Sequence, residues 1–540
     1  MLISRRAIMQ AGILAPGWAL LPSALLAGTE RGFTHSVASG DPSQHAVRLW
    51  TRYVGQEETP LRLEVSESEE FRSIAANGSA TAGPATDYCA QVSVGGLRPG
   101  RTYYYRFVAA GGDRSPVGRT RTLPEGGIEH YRIAVVSCAN ATSGWFNGYA
   151  HAAMRDDLDL VVHLGDYIYE SPTDRSDALE QLAIDRGILP KGEAVTLFDY
   201  RQRYASYRRD PALMELHRRH PIIVIWDDHE TANNSWENGA KNHDPVTEGE
   251  WSIRKRAGVR AFHEWLPMAG APYSQYRIGD LATLFRLETR LLARSKQLDI
   301  SIAIAGRRDL DVAVSEFLTG PLADPARMIL GSSQEDWLTR GMAESVDAGI
   351  SWQVLLQQVI MAPMRLPKVG PDWFAADVQL SADRQREIAI ANHLSSLGLP
   401  MGLDRWDGYP QARARLLDLA ARAKANLVVL SGDSHNAWAY NLVHEERPAG
   451  VEMAVQGISS LGLEKRFGGA PATIAADFVA HNPGLKWCDT SRRGYMICDI
   501  TKGSVAGHWH FMSSRNDRSL DVLETVKLMA YRGSNSLDVS

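Results

Sequence analysis

Val161-Val162-His163-Leu164-Gly165-Asp166-Tyr167-Ile168-Tyr169-Glu170 is the stretch on which the fold turns. Its first residues are mostly apolar and β-branched, the mark of a buried strand. Gly165 breaks the run, and a carboxylate and two phenols follow at once. In an open α/β sheet, chemistry collects just beyond the carboxyl ends of the strands. Asp166 and Tyr169 stand at such an end, close enough in sequence to reach one metal.

Three more apolar runs end the same way. Ile133 to Val136 leads into Ser137-Cys138-Ala139-Asn140. Ile222 to Ile225 leads into Trp226-Asp227-Asp228-His229-Glu230, and Leu427 to Leu430 into Ser431-Gly432-Asp433-Ser434-His435. One such run is weak; several in one domain converge on a site. From Tyr131 onward, strands alternate with longer helical patterns, which indicates a layered α/β domain. Leu284 to Arg290 and Trp352 to Leu356 read as further strands. Asp383 to Ser395 and Tyr409 to Lys424 read as helices, and Gly494 to Met512 as a hairpin turning at Lys502-Gly503.

Upstream, Phe33 to Thr122 carries short alternating runs: Ala46 to Arg52, Leu61 to Val65 and Tyr103 to Val108. Gly-Pro, Gly-Gly and Arg-Pro-Gly turns separate them, the pattern of a small antiparallel β-sandwich. Leu123-Pro124-Glu125-Gly126-Gly127 reads as a linker. The expected division is a targeting segment at 1–30, a sandwich at 31–124, a catalytic domain at 128–514, and a C-terminal helix and tail at 515–540. That helix is expected over Thr525 to Tyr531.

The chain has 540 residues, 44% hydrophobic and 22% charged, the composition of a soluble globular protein. Its net charge of −5 and lack of a long basic run argue against nucleic acid as the main partner. Four cysteines in this length are too sparse for a disulfide framework. At the N-terminus, Ser4-Arg5-Arg6 precedes an apolar stretch from Ala11 to Ala27, broken by Pro16, Gly17 and Pro22. It is too short and interrupted for a stable transmembrane helix. The paired arginines point to the twin-arginine export machinery as a partner, and so to a periplasmic or extracellular location.

Carboxylates with a few imidazoles suit calcium, magnesium, manganese, iron or zinc. A thiolate and a phenolate together are more selective, favouring a trivalent, acidic ion such as iron. Asp433 and His435, two apart in an extended loop, face the same way, and so can residues of Asp227-Asp228-His229. Metals held close together lower the pKa of a bound water, neutralise phosphoryl oxygens and stabilise an in-line displacement. His229 is placed to orient a substrate or protonate a leaving alkoxide. His163 reads as a core or supporting histidine, His508 and His510 as a packed strand face, and Trp406-Asp407-Gly408-Tyr409-Pro410 as a turn.

His163 to Glu170, Trp226 to Glu230 with Asn233-Asn234, and Ser431 to His435 with Trp438 resemble the core motifs of the alkaline phosphatase D family. Ser39-Gly40-Asp41-Pro42, Trp50-Thr51-Arg52, Leu287-Glu288-Thr289-Arg290 and Trp406 to Pro410 extend the likeness from Phe33 to Thr501. The resemblance implies a calcineurin-like metallophosphoesterase core, an αββα sandwich, with ferric iron and calcium; zinc, manganese and magnesium are alternatives. It implies iron on Cys138, Asp166, Tyr169 and His435. It implies calcium on Asp166, Asp227, Asn234 and Asp433, with Asp228 competing for the Asp227 role, and His229 over the phosphate. Ala139-Asn140 and Asn482-Pro483-Gly484 depart from the family pattern at segments expected to touch substrate, which makes Asn140 a candidate substrate contact. The expected activity is hydrolysis of phosphate mono- or diesters by a metal-bound hydroxide, with Asp228 and His229 as catalytic candidates. A calcium-dependent surface-binding protein, or a dinuclear hydrolase of other esters, are the rival expectations.

Overall fold

The computed structural model describes residues 30–171 and 186–538; the expected targeting segment, Glu30 apart, lies outside them. The first strands in chain order are β1 (Gly32–Gly40), β2 (Val47–Val54), β3 (Thr59–Ser66), β4 (Ala76–Ala82), β5 (Cys89–Val94), β6 (Thr102–Ala109), β7 (Gly118–Arg121), β8 (His130–Val136), β9 (Leu160–His163) and β10 (Pro221–Val224).

β8, β9, β10 and β1 run parallel at the centre of a ten-stranded sheet. On one side it continues through Gly494–Thr501, Ser504–Met512, Val522–Tyr531 and Leu537–Asp538, and on the other through β2 and β5. A seven-stranded sheet has at its centre the parallel strands Ala282–Arg286, Trp352–Leu356, Leu427–Ser431 and Arg447–Ala454.

Side-chain alternation explains how the second sheet is covered on both faces. Leu284, Val354, Leu356, Val428, Leu430 and Met453 join the core that contains β8, β9 and β10. Their neighbours Phe285, Leu355, Leu427 and Val429 join a separate core with helices Ser332–Asp347 and Pro410–Ala423. The first sheet packs Tyr149, Tyr204, Leu213 and Phe262 of its helices into the shared core. Polar stitches cross between the sheets: Trp509 Nε1 donates to Ala454 O at 3.0 Å, and Trp352 Nε1 to Thr501 O at 2.8 Å.

The N-terminal strands form the expected antiparallel sandwich, with β1, β2 and β5 facing β4, β3, β6 and β7 across Leu49, Leu63, Val65 and Phe107. It is not a free-standing appendage. Ser39 and Gly40 of β1 pair in parallel register with Pro221 and Ile222 of β10, so one sheet serves both parts.

The expected C-terminal helix is corrected: Val522–Tyr531 is a strand, antiparallel to Ser504–Met512. Its Leu, Glu, Lys, Met and Ala content favours helix locally. The open edge of Ser504–Met512 offers a complete ladder of backbone hydrogen bonds instead, and Leu528 and Ala530 alternate into the core.

Candidate metal centre

The parallel order brings the carboxyl ends of β8, β9 and β10 to one edge, where the Leu427–Ser431 strand of the other sheet also ends. The residues there leave ordinary backbone conformations. Cys138, Asp166, Asn234, Asp433 and His435 all have φ between 51° and 63°, a left-handed geometry uncommon outside glycine. Such strain gathers where surrounding structure holds functional groups in place. Gly165 allows the close approach of two strand ends: a Cβ there would collide with Asp227 Cβ.

Donor atoms of three residue groups lie within 4.8 Å of one another: Cys138, Asp166 and His435; Asp166, Asp228 and His229; Asp227, Asp228 and Asp433. Asp166 belongs to the first two, so its carboxylate stands between them. Tyr169 Oη donates to Asp166 Oδ2 at 3.0 Å and lies 3.3 Å from His435 Nε2. The Tyr169 ring lies against His229, tilted by 30°, with centroids 4.1 Å apart.

Supporting contacts fix the donors. His435 Nδ1 donates to Leu461 O at 2.5 Å, which leaves Nε2 as the lone pair facing the cluster. Glu170 accepts from His229 Nδ1 at 2.6 Å and from Asn233 N at 2.7 Å. Glu230 accepts the backbone N–H groups of Asp166, Tyr167 and Asp227 at 3.2, 2.6 and 2.7 Å, tying β9 to β10.

Arg290 and Asp404 were not singled out as site residues from sequence. Arg290 is fully buried and donates from Nε to Asp227 Oδ1 at 2.5 Å, from Nη1 to Asp404 Oδ2 at 2.7 Å and from Nη2 to Asp433 Oδ1 at 3.4 Å. Its place in Leu287-Glu288-Thr289-Arg290 was the available signal. Asp404 carried none; it receives Arg290, Arg294 and Gln297 together. Ser460, also missed, sits with Oγ 2.7 Å from Tyr169 Oη and 2.8 Å from Cys138 O.

Asp227 and Asp228 both reach the cluster, in different ways. Asp228 accepts from His229 N at 3.0 Å and Asn234 N at 2.7 Å, whereas Asp227 Oδ2 has no hydrogen-bond partner. The Asn234 backbone N–H thus helps to fix Asp228. Asn140 turns its Oδ1 to Thr142 N and Oγ1, at 3.0 and 2.8 Å. Asn482 braces the Arg365 backbone, accepting from its N at 2.8 Å. His163 is a core residue, 2.6 Å from Tyr149 Oη, and burial lowers its pKa to about 3.

The donor set calls for cations. Like charges 4 Å apart at an effective dielectric of 20 cost about 4 kcal/mol per pair. Asp166, Asp227, Asp228 and Asp433 are set against one guanidinium and one imidazole. Burial, reinforced by neighbouring carboxylates, pushes Asp166 and Cys138 well above their usual pKa ranges. Asp227 and Asp433 also rise with burial, Asp433 to about 6, even with Arg290 opposing. Asp228 alone falls: burial opposes it, but Arg290, His229 and the Asn234 N–H outweigh burial. Asp166 Oδ1 and Asp227 Oδ2 are buried without hydrogen-bond partners. Lone pairs of that kind, beside a thiol and an imidazole, fit metal ions.

Strand-end carboxylates, a thiol, a phenol and an imidazole on a two-sheet scaffold define a metal-dependent hydrolase centre. The chain belongs to the PhoD-like phosphatase family, phosphoric ester hydrolases: that family's model matches residues 133–509, and the model of its N-terminal domain matches residues 22–124. Alkaline phosphatase D of Bacillus subtilis (strain 168) is 32% identical over 495 residues, which cover 87% of this chain and 76% of that protein. A solved structure described as "Structure of PhoD" superposes with a TM-score of 0.75 at 27% identity, covering 97% of this chain and 94% of that one.

Proposed function

We propose that the chain is an exported metallophosphoesterase hydrolysing phosphate mono- or diesters at a ferric iron–calcium centre, on a calcineurin-like layered scaffold. The observation that carries this reading is the continuity of the donors: Asp166 is shared between the Cys138–His435 group and the Asp228–His229 group, and Asp228 in turn joins Asp227 and Asp433. Cys138, Asp166, Tyr169 and His435 would hold the iron; Asp166, Asp227, Asn234 and Asp433 would hold calcium. Zinc, manganese or magnesium are the alternatives for the same donors. When bound, the ions supply charge against phosphoryl oxygens and an acidified water as nucleophile.

The chain supplies the rest. His229 is stocked with a proton: burial opposes its charge, but Glu170, Asp228 and Asp166 outweigh burial and raise its pKa well above the ordinary range. With Nδ1 donating to Glu170, the Nε2 proton is available to a leaving alkoxide. Asp228 holds that imidazolium electrostatically. Asn140, just past Cys138, is proposed to touch the substrate. Ser4-Arg5-Arg6 and the apolar stretch after it support twin-arginine export to the periplasm or beyond. Among the described residues no helix is long and apolar enough to cross a membrane. We also propose the division into a sandwich at 31–124 and a catalytic part from 128 onward.

Paired chromogenic phosphate mono- and diesters, assayed with and without chelator, test the activity. Hydrolysis of at least one, abolished by chelator and restored by metal, is expected. No hydrolysis of either by a chain with its metals confirmed overturns the reading. A second expectation concerns colour. Tyrosinate bound to ferric iron absorbs visible light, and Tyr169→Phe is expected to bleach that band while calcium content stays at the wild-type level. A colourless, calcium-loaded wild-type chain would instead favour a calcium-dependent binding protein.

A further inference from the structure

We propose that Ser460 is a positioning residue of the metal centre: its hydroxyl donates to the Tyr169 phenol oxygen and so sets how much electron density that ligand gives to iron. The inference rests on Tyr169 holding ferric iron, as proposed above. Ser460 lies in the loop after the Arg447–Ala454 strand and is buried. That loop wraps round the Cys138 turn. Ile458 N donates to Ser137 O at 2.9 Å, and Gly457 N to His435 O at 3.0 Å. Leu461 O accepts from His435 Nδ1, and Arg493 Nη1 donates to Ser460 O at 2.9 Å. One short loop thus meets the residues that carry the thiol, the phenol and the imidazole.

A hydroxyl has one proton to give and lone pairs with which to accept. Asn140 N donates to Ser460 Oγ at 3.1 Å, which occupies the acceptor side. The Ser460 proton is left with two oxygens, Cys138 O at 2.8 Å and Tyr169 Oη at 2.7 Å. Cys138 O already accepts from Ser460 N at 3.2 Å and from Ser459 N at 3.4 Å. Tyr169 Oη gives its own proton to Asp166 Oδ2 at 3.0 Å, and the His435 Nε2 that it faces at 3.3 Å is a lone pair. Among the described residues, Ser460 is the donor these contacts leave for the Tyr169 oxygen.

A hydrogen bond to a ligand's oxygen has two consequences. It holds the phenol in place relative to the thiol ligand, because the same Oγ reaches Cys138 O. It also draws electron density from an anionic oxygen, so a phenolate donates less to the cation it binds. Without the donor, Tyr169 becomes the stronger electron donor. Charge transfer from tyrosinate to ferric iron then needs less energy, and the ferric state gains over the ferrous. Ser459 provides the comparison within the same loop. It is equally buried, and its Oγ donates to Asn140 O at 2.7 Å rather than to Tyr169.

The test uses the full-length chain loaded with iron and calcium, and reads the visible tyrosinate-to-iron band and the iron reduction potential. Ser460→Ala is expected to keep the band but move it to longer wavelength, to lower the potential and to weaken iron binding by roughly tenfold. Ser460→Thr, which keeps the hydroxyl, is expected to hold the band at its wild-type position, and Ser459→Ala to leave it unmoved. In the wild type, the phenolate C–O stretch read by resonance Raman is expected to shift when iron is loaded in deuterium oxide, since the donated proton exchanges. A coloured wild type whose band is unmoved by Ser460→Ala overturns the proposal. An equal shift from Ser459→Ala overturns it too, because it marks a loop effect. So does a deuterium-insensitive stretch, which decides the matter even if Ser460→Ala does not fold. A wild type with iron bound and no visible band is a distinct failure: it overturns the tyrosinate reading itself, and this inference with it.

Discussion

Asp166→Asn is expected to reduce phosphate-ester turnover by at least about 10³-fold, the several kcal/mol that a lost anionic ligand takes from charge stabilisation at the reacting phosphate. Asp166 is the one residue whose carboxylate serves both the Cys138–His435 and the Asp228–His229 groups. An amide keeps its shape and the Tyr169 contact but removes the charge. Metal analysis of the purified variant should show loss of iron and of calcium together. Wild-type turnover with full metal content would refute the shared-ligand role. Loss of one ion alone would restrict Asp166 to that ion's site.

Arg290→Met is expected to destabilise the metal-free chain by about 3–5 kcal/mol, the usual cost of removing one partner from a buried ion pair. Asp227, Asp404 and Asp433 would lose the charge they share, while the methionine keeps much of the volume. Denaturant unfolding in chelator measures this. Saturating metal is expected to recover part of the loss, because cations then neutralise Asp227 and Asp433 but not Asp404. Equal destabilisation with and without metal would show that Arg290 acts through packing alone. The contrast with Asp166→Asn is useful: one variant removes an anion and weakens metal binding, the other removes a cation and makes the chain depend on metal.

Much of this site was legible in the sequence because its residues are local to strand ends. β-branched runs must be buried strands, and a polar cluster straight after each run has to emerge at the sheet edge. Cys138, Asp166, Tyr169, Asp227, Asp228, Asp433 and His435 all follow that logic, and the structure brings them to one place. Arg290 and Asp404 do not follow it. Arg290 lies four residues past its strand, and Asp404 lies in a loop more than a hundred residues away from it. Arg294 and Gln297 meet Asp404 from the same distant segment, a link no sequence spacing announces.

The C-terminal segment shows the opposite failure. Glu524, Lys527, Leu528, Met529 and Ala530 favour helix when weighed alone. Whether Val522–Tyr531 becomes helix or strand depends on an open edge at Ser504–Met512, and that edge exists only once the hairpin with Gly494–Thr501 has formed. The N-terminal sandwich was recognisable from its alternation. Its fusion to the catalytic sheet through β1 and β10 was not, since a strand's pattern shows which faces are buried but not which strand lies beside it.

The sequence by itself determined the local elements and the kinds of donor atom at their ends, because propensity and side-chain chemistry act over a few residues. Only the tertiary structure decided that Asp166 stands between two donor groups, and that one guanidinium holds three carboxylates. Those outcomes rest on Coulomb and desolvation energies between groups far apart in the chain, and such energies take their values only when packing sets the distances.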